Sequence, residues 1–175
     1  MKVTLIRHTS VAVPPGICYG QSDVSLAETF QSEASLVSEK IKDFSFDAVY
    51  SSPMVRCLRL AEFCGFQNPN VDKRLLEINF GDWEMQAWDN IHDPKLQNWF
   101  NNWVNEIPGK GESFRQMIAR VSDFSNELKG KNHQHVAIFT HAGVIRSFSI
   151  IQEMLRVEKA FDFNVQYGAI IEIEM

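Results

Sequence analysis

No apolar run in this 175-residue sequence approaches the ~18 residues that a membrane helix needs. The first eight residues read as a strand, because their apolar stretch is short and stops at Arg7 and His8, and not as a secretion signal. Cysteine is scarce. Cys18, Cys57 and Cys64 are odd in number, show no CxxC spacing and have no histidines at zinc spacing. That excludes a disulfide framework and a zinc module, and reduced thiols in a cytoplasmic protein are expected. Repeats, low-complexity tracts and blocks of like charge are missing too. Basic residues are the minority, 17 against 22 acids for a net charge of −5. This balance argues against a nucleic-acid partner or an anionic membrane, and leaves room for a local basic pocket.

What is present describes an ordinary globular chain, 45% hydrophobic and 22% charged. One domain over residues 1–175 is expected, burying about 70% of the surface of the unfolded chain. Short apolar runs at 3–6, 47–50 and 136–139 have the length and boundaries of buried strands. Residues 165–174 alternate enough for a final strand. Between them lie helical patterns. Ser25 and Glu28 have capping-box spacing before Leu26, Phe30, Ala34, Val37 and Ile41. Ser52-Pro53 reads as an N-cap followed by a first-turn proline. Ser113 opens a helix with Phe114, Met117, Ile118, Val121, Phe124 and Leu128 on one face and Gly130 beyond its end. Thr140 to Gly143 lead into a helix with Val144, Ile145, Phe148, Ile151 and Leu155.

Strands alternating with helices predict an α/β fold. The expected form is a three-layer α/β/α sandwich with a mostly parallel central sheet. Residues 84–112 are irregular, rich in Trp, Asn and Asp, and read as an inserted lid. In such folds ligands bind beyond the carboxyl ends of the strands. The residues there are Arg7 and His8, then Ser51 and Ser52 leading to Arg56, then His141. Two arginines and two histidines at one crevice suit a phosphate dianion. Guanidinium groups give planar, charge-assisted hydrogen bonds to its oxygens, ~1.5–3 kcal/mol each. A neutral imidazole can attack phosphorus, and a second can steady charge on the equatorial oxygens. The leaving alkoxide needs an acid, for which Glu77 is the candidate.

These residues sit in motifs that carry a resemblance. Leu5-Ile6-Arg7-His8-Thr9 resembles the Arg-His motif of the histidine phosphatase superfamily, the phosphoglycerate-mutase-like proteins. Tyr50-Ser51-Ser52-Pro53-Met54-Val55-Arg56-Cys57 resembles its Ser-Ser-Pro segment with the second arginine. Leu76-Glu77-Ile78-Asn79-Phe80-Gly81-Asp82-Trp83-Glu84 resembles the acid-bearing segment. Gly111-Glu112-Ser113 and Thr140-His141-Ala142-Gly143-Val144-Ile145-Arg146 resemble the helix start and the second-histidine motif. The five motifs come in family order. The resemblance implies His8 as a nucleophile that becomes phosphohistidine. It implies Arg7, Arg56 and His141 as the phosphoryl clamp, and Glu77 as acid and then base. No metal and no cofactor are implied. Thr9 replaces a usual glycine, an asparagine usual a few residues later is missing, and Met85 follows Trp83-Glu84 where glycine is usual. Tyr19, Gly20, Gln21 and Ser22 are the candidates to supply the missing contacts.

The substrate expected is a small-molecule phosphomonoester. All four tryptophans, Trp83, Trp88, Trp99 and Trp103, fall within 21 residues. Trp99 and Trp103 are expected to pack the lid, while Trp83 or Trp88 offers a flat face to an aromatic ring. From 84 to 112 the acids are Glu84, Asp89, Asp93, Glu106 and Glu112 against Lys95 and Lys110, a net −3. That disfavours a second anionic group on the substrate. Within the superfamily, residues 15–23 and the short chain look most like the α-ribazole phosphatases of cobalamin assembly. The rivals are a phosphoglycerate mutase-type phosphotransferase, a broad-specificity phosphatase and a non-catalytic phosphate-binding module. A phosphohistidine-protein phosphatase predicts an open site, against which the 84–112 excursion speaks. The oligomeric state is open.

Overall fold

The computed structural model describes all residues, 1–175. Five strands form the central sheet: β1 (Lys2–Arg7), β3 (Ala48–Ser51), β4 (Asn70–Val71), β6 (His135–Thr140) and β7 (Ile170–Glu174). Their spatial order is β4-β3-β6-β1-β7. All neighbours are parallel except β7, which runs antiparallel to β1 at one edge. A small second sheet pairs β2 (Ile17–Cys18) with β5 (Gln86–Ala87).

Side-chain alternation along the strands decides the layers. Ile6, Ala137 and Phe139 face α1 (Phe30–Ile41) and α2 (Val55–Phe63), meeting Ala34, Val37, Ile41, Cys57 and Leu60. Val3, Leu5, Val136 and Ile138 face the other way, toward α4 (Phe114–Lys129) and α5 (Ala142–Ile151). The result is the expected three-layer α/β/α sandwich with a mostly parallel sheet. Ser113 caps α4 in a capping box with Gln116. Residues 84–112 hold β5, one short 3₁₀ turn (Trp88–Asn90) and α3 (Leu96–Asn101). Trp83, Ile91 and Trp99 close around Cys18 as a third, smaller core. No helix is long and apolar enough to cross a membrane.

Several local expectations are corrected. Helix α1 starts at Phe30, not after Ser25, and Thr29 before it makes no side-chain cap. Residues 24–27 are instead drawn into extended pairing, with Val11 bridged to Leu26 and Ala12 N–H donating to the Ser25 carbonyl. Helix α2 starts at Val55, not at Pro53. The Ser52 hydroxyl is turned to His141, and the Val55 N–H at the helix start donates to Asp23 from the first loop. The last strand begins at Ile170, after a turn at Gly168 with φ of 66°. Helix α5 ends at Ile151, short of Leu155.

Candidate active site

Register lines up three strand ends. Arg7 pairs with Thr140 and Ser51 with Phe139. The ladder continues one step, His8 N–H donating to the Thr140 carbonyl and Ser52 N–H to the Phe139 carbonyl. His8, His141 and Ser52 therefore leave the sheet side by side. The two imidazoles meet at 5.2 Å between ring centroids. The Ser52 hydroxyl lies 2.8 Å from His141 Nε2.

Both histidines are buried, 2% and 0% exposed. His8 Nδ1 is 2.7 Å from the Thr9 carbonyl, which can only accept, so Nδ1 carries the proton. Nε2 is then the ring nitrogen with the free lone pair. Burial first, then the Arg56 and Arg7 cations, hold the His8 imidazole well below its ordinary value; the Thr9 bond acts the other way. Burial, His8, Arg56 and Arg7 lower His141 likewise. Cys57, whose sulfur lies 3.6 Å from His141 Nε2, is pushed up to about 12 by burial and stays a thiol.

Arg56 is fully buried, with no carboxylate partner. Its terminal nitrogens donate to the carbonyls of Gly20 and Ser22, at 2.8 and 2.9 Å, and the Tyr19 ring lies 5.3 Å from its guanidinium carbon. Arg7 donates to the Val165 carbonyl and sits 3.9 Å over the Tyr167 ring. The Nε atoms of Arg7 and Arg56 and the Thr9 hydroxyl are buried without protein partners. An anion is the acceptor such donors call for. The loop that orients Arg56 is held by Glu84, whose carboxylate accepts from Gln21 N–H, the Ser22 hydroxyl and Phe80 N–H. Gly20 has φ of 36° and lies so close to Glu84 and Ile78 that a Cβ would overlap both.

In front of Arg7 opens a cavity of about 220 Å³. Glu77 lines it, its carboxyl accepting from Ile78 N–H at 2.9 Å and from Gly143 N–H at 3.2 Å. Tyr19, Gly20, Phe80, Trp88, Phe114 and Phe161 supply much of the wall. Trp83 does not. It is 2% exposed, its indole N–H donates to Asp93, and it sits inside the third core with Cys18, Ile91 and Trp99. Trp88, the other tryptophan considered, does line the cavity. Gln21 is also off the wall, and its amide donates to the Glu77 carbonyl, so it holds the Glu77 backbone. Trp99 lies in the lid core, while Trp103 packs on Phe114 and Phe161.

Arg146 closes the second-histidine motif, one turn past His141, where the sequence leaves it facing either the pocket or solvent; it lines the cavity. Its Nε donates to the Ala160 and Phe163 carbonyls, and its terminal nitrogens have no protein partner. Burial lowers its guanidinium from the ordinary value. The signal was available: Ala142 and Arg146 are four apart on a helix that leaves the site strand, and so share a face. Tyr167 and Asp23 carried no comparable signal.

The family model of the histidine phosphatase superfamily (branch 1) matches residues 3–175. Over 176 residues the chain is 28% identical to the adenosylcobalamin/alpha-ribazole phosphatase of Escherichia coli, covering 96% of this chain and 87% of that protein. It is also 28% identical to phosphoserine phosphatase 1 of Hydrogenobacter thermophilus, covering 97% of this chain and 86% of the relative. The crystal structure of the alpha-ribazole phosphatase from Shigella flexneri superposes with a TM-score of 0.88 at 26% identity. That match covers 100% of this chain and 91% of the other.

A Cβ on residue 143 would lie 2.2 Å from Glu77 Oε1 and 2.8 Å from Met117 Cε. Gly143→Ala should therefore displace the Glu77 carboxyl while the sheet and helices stay folded. The expected loss in kcat is ~100-fold, the scale of a 1 Å misplacement, with an unchanged far-ultraviolet circular dichroism spectrum. Full activity would show that the carboxyl position does not matter.

Proposed function

The chain belongs to the histidine phosphatase superfamily (branch 1) and is a phosphatase, and on that premise we propose the residues and the substrate. His8 Nε2 attacks phosphorus in line and forms phosphohistidine. Arg7, Arg56 and His141 hold the equatorial oxygens, and the leaving alkoxide takes a proton from Glu77. Glu77 then removes a proton from the water that attacks phosphohistidine, releasing inorganic phosphate and restoring His8. The observation that carries this reading is the His8 tautomer, with Nδ1–H bound to the Thr9 carbonyl and Nε2 free in a site that disfavours protonation. No step calls for a metal. Residues of about 84–112 act as a lid over the leaving group, tied to the first loop through β2 and β5.

For the substrate we favour α-ribazole 5′-phosphate, placing the enzyme in cobalamin assembly. The aromatic wall of Tyr19, Phe80, Trp88, Phe114 and Phe161 suits a leaving group that is neutral and carries a ring. Arg146 favours a second reading. A guanidinium with free terminal nitrogens on the wall suits a leaving group with a carboxylate, as in phosphoserine.

Rapid acid and alkaline quenching during turnover tests the chemistry. Trapped phosphate should be labile in acid and stable in alkali, and His8→Ala should abolish trapping and lower kcat by at least ~10³-fold. Acid-stable phosphate would point to a serine or threonine ester and end the mechanism.

The two substrate readings separate in kcat/KM. We expect α-ribazole 5′-phosphate to exceed phosphoserine and 3-phosphoglycerate by about tenfold or more, ~1.4 kcal/mol of transition-state binding. The reverse order, lost in Arg146→Gln, would establish the carboxylate reading instead.

A further inference from the structure

Two tyrosines 148 residues apart in sequence meet beside the arginines, with the Tyr19 and Tyr167 hydroxyls 3.1 Å from each other. Each is carried by a segment bonded to a different part of the phosphoryl clamp. Tyr167 sits in a turn closed by Ala169 N–H, which donates to the Gln166 carbonyl. That turn is tied to the site strand: Arg7 N–H donates to the Ala169 carbonyl and Gly168 N–H to the His8 carbonyl. The Tyr167 ring lies 3.9 Å from the Arg7 guanidinium and 5.6 Å from the His8 ring. Tyr19 belongs to the first loop, where the adjoining Gly20 carbonyl accepts from Arg56, and its ring lies 5.3 Å from that guanidinium. The hydroxyl pair therefore joins the Arg7 side of the clamp to the Arg56 side.

The pair holds one proton more than its own bond uses. When one hydroxyl donates to the other, the accepting oxygen keeps a proton of its own to give elsewhere. Neither hydroxyl has another protein partner. Position decides which proton is spare. Tyr167 is 40% exposed and off the cavity wall, whereas Tyr19 lines the cavity together with Arg7 and Glu77. Burial first, then the bond to Tyr167, holds the Tyr19 phenol well above its ordinary value, so the proton stays on its oxygen. We propose that Tyr19 is a further phosphoryl-binding residue, its hydroxyl accepting from Tyr167 and donating to a non-bridging oxygen of the phosphoryl group. Tyr167 is a positioning residue that acts through it. The proposal rests on the phosphohistidine reading and deepens it. A neutral donor orients the group without adding to the charge of two guanidiniums, and no proton is transferred.

The test compares phenyl phosphate, n-butyl phosphate and phosphoserine, which share the phosphoryl group and differ in the alcohol. Tyr19→Phe and Tyr167→Phe remove the hydroxyls and keep both rings against the arginines. Tyr19→Phe should lower kcat/KM by at least ~10-fold. The factor should be common to all three esters, and inhibition by orthovanadate should weaken with it. Tyr167→Phe should cost less on its own and nothing further in the double variant, because it acts through a hydroxyl already gone. The His8 and His141 ring ¹⁵N shifts of free Tyr19→Phe should match the wild type, which separates a lost donor from a displaced clamp. Wild-type rates in Tyr19→Phe, or a loss that follows the alcohol, would overturn the proposal and leave the phosphatase reading standing. Shifted ring resonances, or additive losses in the double variant, would reduce the pair to a structural tie and refute it. A wild type that hydrolyses none of the esters would defeat the phosphatase reading as well.

Discussion

Two guanidinium groups are gathered with two buried imidazoles at the strand ends, and the rest of the site depends on that crowding. Burying a cation without a carboxylate is costly. Arg56 is kept in place by backbone carbonyls and the Tyr19 face instead of a counter-charge. A carboxylate there would compete with a phosphate dianion for the same donors; carbonyls fix the guanidinium and leave its charge uncancelled. Burial first, with that uncancelled charge beside it, lowers both histidines well below their ordinary value. A protonated imidazole has no lone pair with which to attack, so in the proposed mechanism one electrostatic arrangement would both recruit the anion and leave His8 free to attack.

The arrangement is supported from outside the site. Glu84 receives three hydrogen bonds from the first loop and the Phe80 turn, and so fixes the carbonyls that Arg56 needs. Arg120 ties Glu112 to the carbonyls of Arg74 and Glu77, joining the acid's segment to α4. Gly143 makes room for the Glu77 carboxyl at the start of α5. Residues 84–112 are attached through the β2–β5 pair, the small aromatic core, and contacts of Val104, Asn105 and Trp103 with the start of α4.

Much of this was legible in the sequence for a geometric reason. Parallel strands deliver the residues after their carboxyl ends to one edge, so Arg7, His8, Ser52 and His141 converge although they span most of the chain. Helix faces were equally readable where packing follows a 3.6 period, as in α4. What escaped depends on long-range partners. The Ser25 capping pattern was overridden by pairing of residues 24–27 with the first loop. Asp23 capping α2 joins residues 32 apart. Trp83 was expected, as one of two candidates with Trp88, to offer a face to the substrate, but its N–H finds Asp93 and its ring packs with Cys18, Ile91 and Trp99. The net charge of residues 84–112 leaves out a cation from elsewhere in the chain: Lys110 pairs outward with Asp82, while Arg146 enters the wall from α5.

The central claim is that His8 stands ready as a neutral nucleophile with its proton on Nδ1. Long-range ¹H–¹⁵N correlation spectra of the free protein, with His8 and His141 assigned by substitution, read protonation and tautomer directly across pH 5 to 8. The account predicts that neither ring titrates near 6.5, and that His8 shows a protonated Nδ1 and an unprotonated Nε2 at neutral pH. A His8 ring that titrates at the ordinary value, or that carries its neutral-form proton on Nε2, would contradict it.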